Sequence, residues 1–337
     1  MKYPHYSMSK TERLSRGAKI LFRTMRPRYD DLLLPETRRT AEGFEYQVYQ
    51  PQGKVIRTVM LVNGMTIRGE DDPRMVMFAR SCAEAGLRVA IPLLPGLKEF
   101  IVEKGDMRRL ESVARVLSRN NEERIGMIGF STGGSYSLLL AAHPLLGAKI
   151  GPLVLFSPVY DVRDVAERLH TPIDPHPETA KEWDQFYWGQ YVIAFRNRKK
   201  LRLATAVREA LSILLGDWAE YSLEVKRAFF ENHILGLQLI GHPDLFNEGQ
   251  NLDLLSARGH LAEVKSPVFI LHDASDQVVP PDHSRRMYAE LAKRGAGFRQ
   301  EVLVTPWLSH VVMNTTGNPA ELFQIISYVS ELFRSTV

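Results

Sequence analysis

The sequence predicts an α/β protein in which helices cover both faces of a mostly parallel sheet. From about residue 55, short β-rich runs alternate with segments of helical periodicity, which is typical of this class. Several runs are apolar throughout, as expected for strands buried on both faces. With 337 residues, 45% of them apolar, the chain has the material for a large core, either one domain or a domain with an insertion.

Six segments of the chain are predicted to be strands of this sheet. They are Val55–Val62, Leu87–Pro92, Arg124–Phe130, Leu153–Ser157, Val268–His272 and Arg299–Val304. Between them, apolar residues recur at helical spacing, once at Met75, Phe78, Ala79 and Cys82 and again at Met107, Leu110, Ala114 and Leu117. The last helix is predicted to begin at Pro319, because Asn318 can cap it and proline suits a first turn.

The alternation stops between residues 161 and 255, where we predict an inserted helical cap. A proline-rich entry (Pro172, Pro175, Pro177) leads into helices predicted at Ala180–Lys199, Leu203–Leu215 and Trp218–Leu235. The predicted domains are a basic helical arm and lead-in over 1–50, an α/β core over 51–160 and 256–337, and the cap over 161–255. Aromatic residues of the cap either line a substrate pocket or form ordinary core; they include Trp183, Tyr187 and Trp188.

The N-terminal arm differs in charge from the rest of the chain. Residues 1–28 contain eight of the 43 basic residues but only one acid, Glu12, which leaves 35 basic and 38 acidic residues elsewhere. The body of the protein is therefore not expected to bind nucleic acid. The arm has Leu14, Ala18, Leu21 and Met25 at helical spacing, so two interpretations stay open. It makes a peripheral contact with a membrane surface, or it packs on the main domain or on a second subunit as a homodimer contact.

The cellular location follows from a few simple features. The single cysteine, Cys82, cannot form an internal disulfide, so the fold does not depend on an oxidising compartment. The N-terminus has scattered charges where a secretory signal has an apolar segment, and no stretch reaches the roughly 18 apolar residues of a membrane span. We therefore expect a soluble, cytoplasmic protein.

The stretch Ile125–Gly134 points to nucleophilic chemistry. An apolar strand runs into Gly-x-Ser-x-Gly at residues 129–133 and then into a plausible helix. A serine on such a turn has a strained backbone that lifts its hydroxyl above the sheet edge, and the flanking glycines let strand and helix approach closely. The positive end of the helix then faces any negative charge that develops there. Ser131 is the predicted nucleophile; the alternative is a phosphate-binding or structural glycine-rich turn.

A serine hydroxyl is a poor nucleophile near neutral pH and needs a base that is itself held by a third group. Two later strands are followed by suitable loops. Val268–His272 runs into a loop with Asp273 and Asp276, and Arg299–Val304 runs into a loop that ends at His310. Of the ten histidines, His310 is the one in a loop after the final predicted strand.

In these residues the chain resembles the α/β-hydrolase superfamily, over roughly residues 50–337 and including the cap. The resemblance implies a triad in the chain order nucleophile, acid, histidine, with His310 as the base. Residues 272–280 resemble the family's His-Gly-x-x-Asp-x-Val-x-Pro pattern, which maps the acid onto Asp276. Asp273 stands where the family usually has glycine, so it stays a rival of Asp276.

The resemblance also implies two main-chain donors for an oxyanion. One is the N–H of Thr132, after the nucleophile. The other is the N–H of Met65, where residues 62–66 resemble the family's His-Gly-x pattern with Asn63 in place of histidine. Residues 91–96 lack the Gly-His-Gly-x-Ser motif of many relatives, which leaves the subfamily open.

The predicted function is hydrolysis of an acyl ester through an acyl-enzyme intermediate, as in a carboxylesterase that acts on small or medium apolar acyl substrates. Thioesterases, aminopeptidases and acyltransferases of this fold use the same triad. A non-catalytic ligand-binding member is the alternative from a different class. The sequence has no metal-binding or nucleotide-binding motif, so we expect no metal and no cofactor, and a small-molecule acyl substrate as the partner.

Overall fold

The computed structural model describes residues 8–25, 37–119, 124–170, 179–239, 252–295, 297–314 and 317–334. Eight strands of these ranges form one sheet: β1 (Thr37–Ala41), β2 (Phe44–Tyr49), β3 (Arg57–Val62), β4 (Leu87–Pro92), β5 (Ile125–Phe130), β6 (Ile150–Phe156), β7 (Val268–Asp273) and β8 (Gln300–Thr305). A two-stranded ribbon follows β8 and consists of β9 (Leu308–Ser309) and β10 (Val312–Met313).

The order of strands in the sheet is β1-β2-β4-β3-β5-β6-β7-β8. β1 and β2 are antiparallel to their neighbours, and β3 to β8 run parallel. Since β3 lies between β4 and β5, the direction in which the sheet is wound reverses beside β3. Open α/β sheets bind ligands at the carboxyl ends of strands next to such a reversal. Ser131 follows β5 at this position.

All six predicted strands are present, with ends that shift by at most three residues. The sequence prediction missed β1 and β2, which lie in the region described as an arm and lead-in. β1 is polar and exposed except at Ala41, so it carries no apolar run. The two strands are joined by a two-residue turn of Glu42 and Gly43, whose φ angles of 51° and 86° suit a tight hairpin.

The described helices are α1 (Lys10–Met25), α2 (Pro73–Glu84), α3 (Pro95–Lys98), α4 (Lys104–Arg119), α5 (Thr132–Ala142), α6 (Val162–His170), α7 (Ala180–Arg196), α8 (Thr205–Gly216), α9 (Leu223–Phe229), α10 (Asp282–Leu291) and α11 (Pro319–Ser330). They cover both faces of the sheet. Alternate residues of each strand point to opposite faces, so each strand contributes side chains to both layers of helices. In β3, Val59 and Leu61 share a core with α1, α2 and α11, whereas Met60 and Val62 share one with α4, α5 and α10.

The N-terminal helix α1 packs on the main domain, against α2 and α11. Its residues Ile20 and Leu21 are fully buried. At Gly17, a Cβ atom would lie 2.8 Å from the carbonyl oxygen of Ile326 in α11, so glycine permits this close contact. Packing on the main domain was one of the two interpretations of the arm. Within the described ranges, no helix is long and apolar enough to cross a membrane.

Helices α7, α8 and α9 share a hydrophobic cluster of their own, within the region predicted as a cap. The single helix predicted over Trp218–Leu235 is wrong. The predicted range begins with a short 3₁₀ turn at Trp218–Glu220. The helix α9 starts after it, because the Ser222 hydroxyl accepts from the N–H of Val225 at 3.4 Å and caps the helix. A π-helical turn, Phe230–Ile234, follows α9. The proline-rich entry of Pro172, Pro175 and Pro177 lies outside the described residues, and the domain boundaries stay a prediction.

Candidate active site

Ser131 occupies a sharp turn between β5 and α5. Its backbone angles, φ 50° and ψ −121°, are rare for a residue with a side chain. Its N–H donates to the carbonyl of Phe156 at 2.8 Å, which fixes the turn to the neighbouring strand. At Gly133 a Cβ atom would lie 2.3 Å from the Val62 carbonyl oxygen, so only glycine allows α5 to approach β3 this closely. The turn thus has the strained geometry that the sequence pattern predicts.

His310 and Asp276 form a direct pair. His310 Nδ1 lies 2.5 Å from Asp276 Oδ2, and the other carboxylate oxygen accepts from the N–H groups of Val278 and Val279 at 3.0 and 2.9 Å. Burial by itself raises the pKa of Asp276. The adjacent His310 imidazole and these hydrogen bonds outweigh burial, so the pKa lies below its ordinary value. Asp276 is therefore a buried carboxylate with a lowered pKa that is hydrogen-bonded to the imidazole of His310.

Asp273 contacts the main chain of His310 and not its ring. Its Oδ2 accepts from the backbone N–H of His310 at 2.8 Å and from Lys181 Nζ at 2.7 Å. Its Oδ1 accepts from the N–H of Ser275 at 2.9 Å. The two acids of this loop, which the sequence left as rivals, thus contact different parts of the histidine.

Ser131 and His310 line the same cavity, which has a volume of about 140 Å³. A cavity of about 150 Å³ with apolar walls accommodates a benzene ring. Most of its walls are apolar, and they come from the segments after β4, β6 and β7 and from α6 and α7. They include Phe100, Val102, Val159, Val162, Val165, Ala166, Trp188, Val192, Val278 and Val279. The cavity therefore fits a compact apolar group next to the serine.

The loop after β3 lies against the serine turn. A Cβ atom at Gly64 would lie 3.1 Å from Cβ of Ser131, so the glycine backbone sits beside the predicted nucleophile. Asn63 holds this loop, since its Nδ2 donates to the Gly64 carbonyl at 2.9 Å. Met65 and Thr132, the predicted oxyanion donors, both line the cavity. The structure thus brings the two predicted donor residues to the same side as Ser131.

One polar wall of the cavity was missed by the sequence analysis. Asp72 accepts from Thr66 Oγ1 at 2.9 Å and pairs with the Arg74 guanidinium at 2.6 Å, and all three residues line the cavity. Burial raises the pKa of Asp72, but the hydrogen bonds from Arg74 and Thr66 outweigh it and leave the pKa low. Asp72 also caps α2 ahead of Pro73. The sequence Asp72-Pro73 is typical of a helix start, so it could have predicted the position of Asp72 at the N-terminus of α2.

Of the three aromatic residues predicted to bind substrate, Trp188 lines the cavity. Trp183 and Tyr187 lie instead in the cluster of α7, α8 and α9. Their rings stack with centroids 5.5 Å apart, and the ring centroid of Tyr187 lies 5.2 Å from that of Phe230. The reason is helical geometry. Positions 183 and 187 are one turn apart on the same face of α7, and position 188 is rotated toward the sheet.

His272 has a structural role in the loop that holds the acid. Its Nε2 donates to the carbonyl of Val279 at 2.7 Å, and its Nδ1 accepts from the Ser284 hydroxyl at 2.5 Å. This assignment follows because a carbonyl oxygen can only accept. Burial lowers the pKa of His272, which agrees with a neutral ring. Both ring nitrogens of His272 therefore have hydrogen-bond partners, and His272 is not a residue of the cavity wall.

No protein-family model matches the sequence, and no curated protein sequence does so either. Among solved structures, the chain is similar to an esterase from Pyrococcus furiosus, with a TM-score of 0.52 and 14% identity over 90% of this chain and 93% of that one. This similarity and the sheet order show that the chain has the α/β-hydrolase fold. The fold class predicted from the sequence is confirmed.

The chain is also similar to two further solved structures. Proline iminopeptidase from Mycobacterium smegmatis has a TM-score of 0.47 and 14% identity, over 88% of this chain and 99% of that one. Acylaminoacyl peptidase from Pyrococcus horikoshii has a TM-score of 0.43 and 14% identity, over 80% of this chain and 36% of that one. The chain thus spans little more than a third of the length of that peptidase.

Proposed function

We propose that this protein is a serine hydrolase that cleaves an acyl ester, with Ser131 as nucleophile, His310 as base and Asp276 as the acid that orients the base. One observation carries the proposal. Asp276 holds Nδ1 of His310 at 2.5 Å, in a histidine that lines the same cavity as Ser131. A carboxylate on Nδ1 keeps the proton there, so Nε2 is left as the proton acceptor.

The proposed reaction takes place at the cavity that Ser131 and His310 line, in the following order. Ser131 Oγ attacks the acyl carbonyl while His310 Nε2 takes its proton, and the backbone N–H groups of Met65 and Thr132 stabilise the oxyanion. The imidazolium then gives this proton to the ester oxygen of the tetrahedral intermediate, the bond between that oxygen and the acyl carbon breaks, and the alcohol leaves an acyl-enzyme behind. Water, activated by His310, releases the acid and regenerates the serine.

The cavity supports a substrate with a small or medium apolar acyl group. Its walls are mainly aliphatic and aromatic, and its volume of about 140 Å³ is near that of a site for one benzene ring. Trp188 is the aromatic residue of the helical segment that we assign to substrate contact. A long acyl chain would have to leave this cavity.

The test replaces Ser131 with alanine and measures turnover of p-nitrophenyl esters with two to twelve acyl carbons. We expect the wild-type protein to prefer short and medium esters, and the variant to lose turnover while its circular dichroism spectrum is unchanged. Labelling of Ser131 by a fluorophosphonate probe gives a second readout, because unactivated serines do not react. Undiminished turnover by the alanine variant would refute the assignment.

The bond that is cleaved is decided by comparing substrates. The same triad serves thioesterases, aminopeptidases and acyltransferases, and the fold does not settle the substrate. A panel of ester, thioester and aminoacyl-amide substrates with one common acyl group would rank them by kcat/KM. We expect the ester to dominate, and a dominant amide or thioester would reassign the reaction. A wild-type protein that neither turns over nor labels would instead be a non-catalytic ligand-binding member of the fold.

A further inference from the structure

The main chain of His310 is held at both of its polar atoms by side chains from neighbouring strands. Its N–H donates to Asp273 Oδ2 at 2.8 Å, and its carbonyl oxygen accepts from the Ser157 hydroxyl at 2.6 Å. Asp273 ends β7, Ser157 follows β6, and both are fully buried. The N–H of Asp273 also donates to Ser157 Oγ at 3.3 Å. We call these two side chains, Ser157 and Asp273, the His310 clamp.

His310 needs support because its backbone has a φ of 53°, in the left-handed region. A residue with a side chain pays a free-energy cost there and keeps this conformation only where its surroundings impose it. The clamp supplies two hydrogen bonds that do so. If they were lost, the loop could relax toward an ordinary backbone conformation, and the imidazole would move with it. The clamp thus acts on the main chain, whereas Asp276 acts on the ring.

The charge of Asp273 is matched by a residue of the helical segment. Lys181, in the first turn of α7, places Nζ 2.7 Å from Asp273 Oδ2 and 2.6 Å from Ser275 Oγ. One turn later, Gln185 Oε1 accepts from the N–H of Gln277 at 2.9 Å. α7 is therefore fixed to the loop that carries the acid. The same carboxylate oxygen serves Lys181 and the His310 N–H, which links the helix to the histidine through one atom.

We propose, building on the function proposed above, that Asp273 is a positioning residue for His310 and that Lys181 holds Asp273 in place. The docking of α7 on the acid loop then sets the position of the base. α7 also carries Trp188 and Val192, which line the cavity. One helix therefore contacts the substrate with one face and controls the base through Lys181.

The first test replaces Lys181 with methionine, which keeps the aliphatic stem and removes the charge. The matched control is Lys98→Met, because Lys98 is also about one-third exposed and pairs at 3.3 Å with a buried carboxylate, that of Glu70, outside the cavity wall. Turnover of p-nitrophenyl butyrate is measured with the full chain. We expect Lys181→Met to lower kcat by about tenfold with KM changed less than about twofold, and Lys98→Met to leave both unchanged. Lys181→Arg should restore most of the kcat.

The second test asks whether Lys181 acts through Asp273. Asp273→Asn should lower kcat by about 10- to 100-fold. Both carboxylate oxygens of Asp273 accept from donors, so the NH₂ group of an asparagine would face a donor on whichever side it lies. The double variant Asp273→Asn with Lys181→Met should then behave like Asp273→Asn alone. The proposal is overturned if Lys181→Met behaves like Lys98→Met, or if the two single losses multiply in the double variant.

A measurement independent of turnover separates this proposal from the proposed hydrolase function. The proton on His310 Nδ1, held by Asp276, should give a downfield proton resonance, assigned by its loss in Asp276→Ala. We expect this signal to shift or broaden in Asp273→Asn and Lys181→Met and to be unchanged in Lys98→Met. An unchanged signal in all three would overturn the clamp even if the protein is an esterase. Failure of Ser131→Ala to abolish turnover would instead overturn the hydrolase assignment.

Discussion

Replacing Asp276 with asparagine exchanges one oxygen for an NH₂ group, and the surroundings dictate how the new side chain must sit. In the wild-type protein one carboxylate oxygen accepts two backbone N–H groups, from Val278 and Val279, and the other faces His310 Nδ1. An asparagine keeps its oxygen on the two N–H donors, since an NH₂ group there would face two donors. Its NH₂ group therefore faces His310 and makes Nδ1 an acceptor.

The consequence is the wrong tautomer of the imidazole. With Nδ1 accepting, the proton moves to Nε2, and the nitrogen assigned to deprotonate Ser131 can no longer accept a proton. In serine proteases the corresponding change lowers kcat by about 10⁴-fold with the geometry intact. That factor corresponds to about 5.5 kcal/mol in the activation barrier. We expect a loss of this order in Asp276→Asn.

The assay is the kcat for p-nitrophenyl butyrate near neutral pH, with circular dichroism to verify the fold. Asp106→Asn is the control for replacing a buried carboxylate outside the cavity wall, because Asp106 is buried and accepts one backbone N–H group at each oxygen, from Gly96 at 3.2 Å and from Leu97 at 3.0 Å. The amide loses one of these hydrogen bonds, so circular dichroism must also show that this variant is folded. The control should keep its kcat within about twofold. The reasoning would be refuted if Asp276→Asn kept more than about a tenth of the wild-type kcat. It would also be refuted if Asp273→Asn lost the larger factor, since the acid would then be Asp273.

Two further predictions concern stability. Gly17→Ala should destabilise the protein by about 1–3 kcal/mol in urea denaturation, because its Cβ would lie 2.8 Å from the Ile326 carbonyl oxygen. The control Gly53→Ala, whose Cβ would have nothing within 4 Å, should have little effect. Equal effects of the two changes would mean that α1 does not pack on α11 in solution. Burial raises the pKa of Asp106 from 3.8 to about 6, so the folded state binds this proton more tightly than the unfolded state does. The free energy of unfolding should therefore fall, by up to about 3 kcal/mol, as the pH rises from about 4 to about 6. Asp106→Asn should flatten this part of the stability profile, and an unchanged slope would contradict the raised pKa.

Features that depend on short stretches of chain were predictable from the sequence. Several of the six predicted strands are runs of apolar residues, and α11 begins at Pro319 after Asn318, whose side chain accepts from the N–H of Ala320 at 2.9 Å. The glycines on either side of Ser131 predicted a sharp turn, since such a turn requires small neighbouring residues. In each case the energetic preference arises among residues close in sequence, so the pattern of side chains carries the information.

The hairpin of β1 and β2 lay beyond that reasoning because its stability comes from pairing and not from its own hydrophobic pattern. β1 is an exposed edge strand of polar residues, and it becomes a strand through its register with β2, from Thr37 opposite Val48 to Ala41 opposite Phe44. Cross-strand context decides β structure more than intrinsic preference does. The turn between the two strands, at Glu42 and Gly43, has positive φ angles that are visible only in the structure.

The sequence by itself determined the α/β class, the serine turn and the set of side chains available to a site. Only the tertiary structure decided which of two neighbouring acids contacts the ring of His310, which aromatic residue of α7 reaches the cavity, and that Lys181 joins this helix to the acid loop. The physical reason is that these are contacts between residues 34 to 92 positions apart. Their geometry depends on how whole elements pack, and a difference of one position within a loop or a helix changes the direction in which a side chain points.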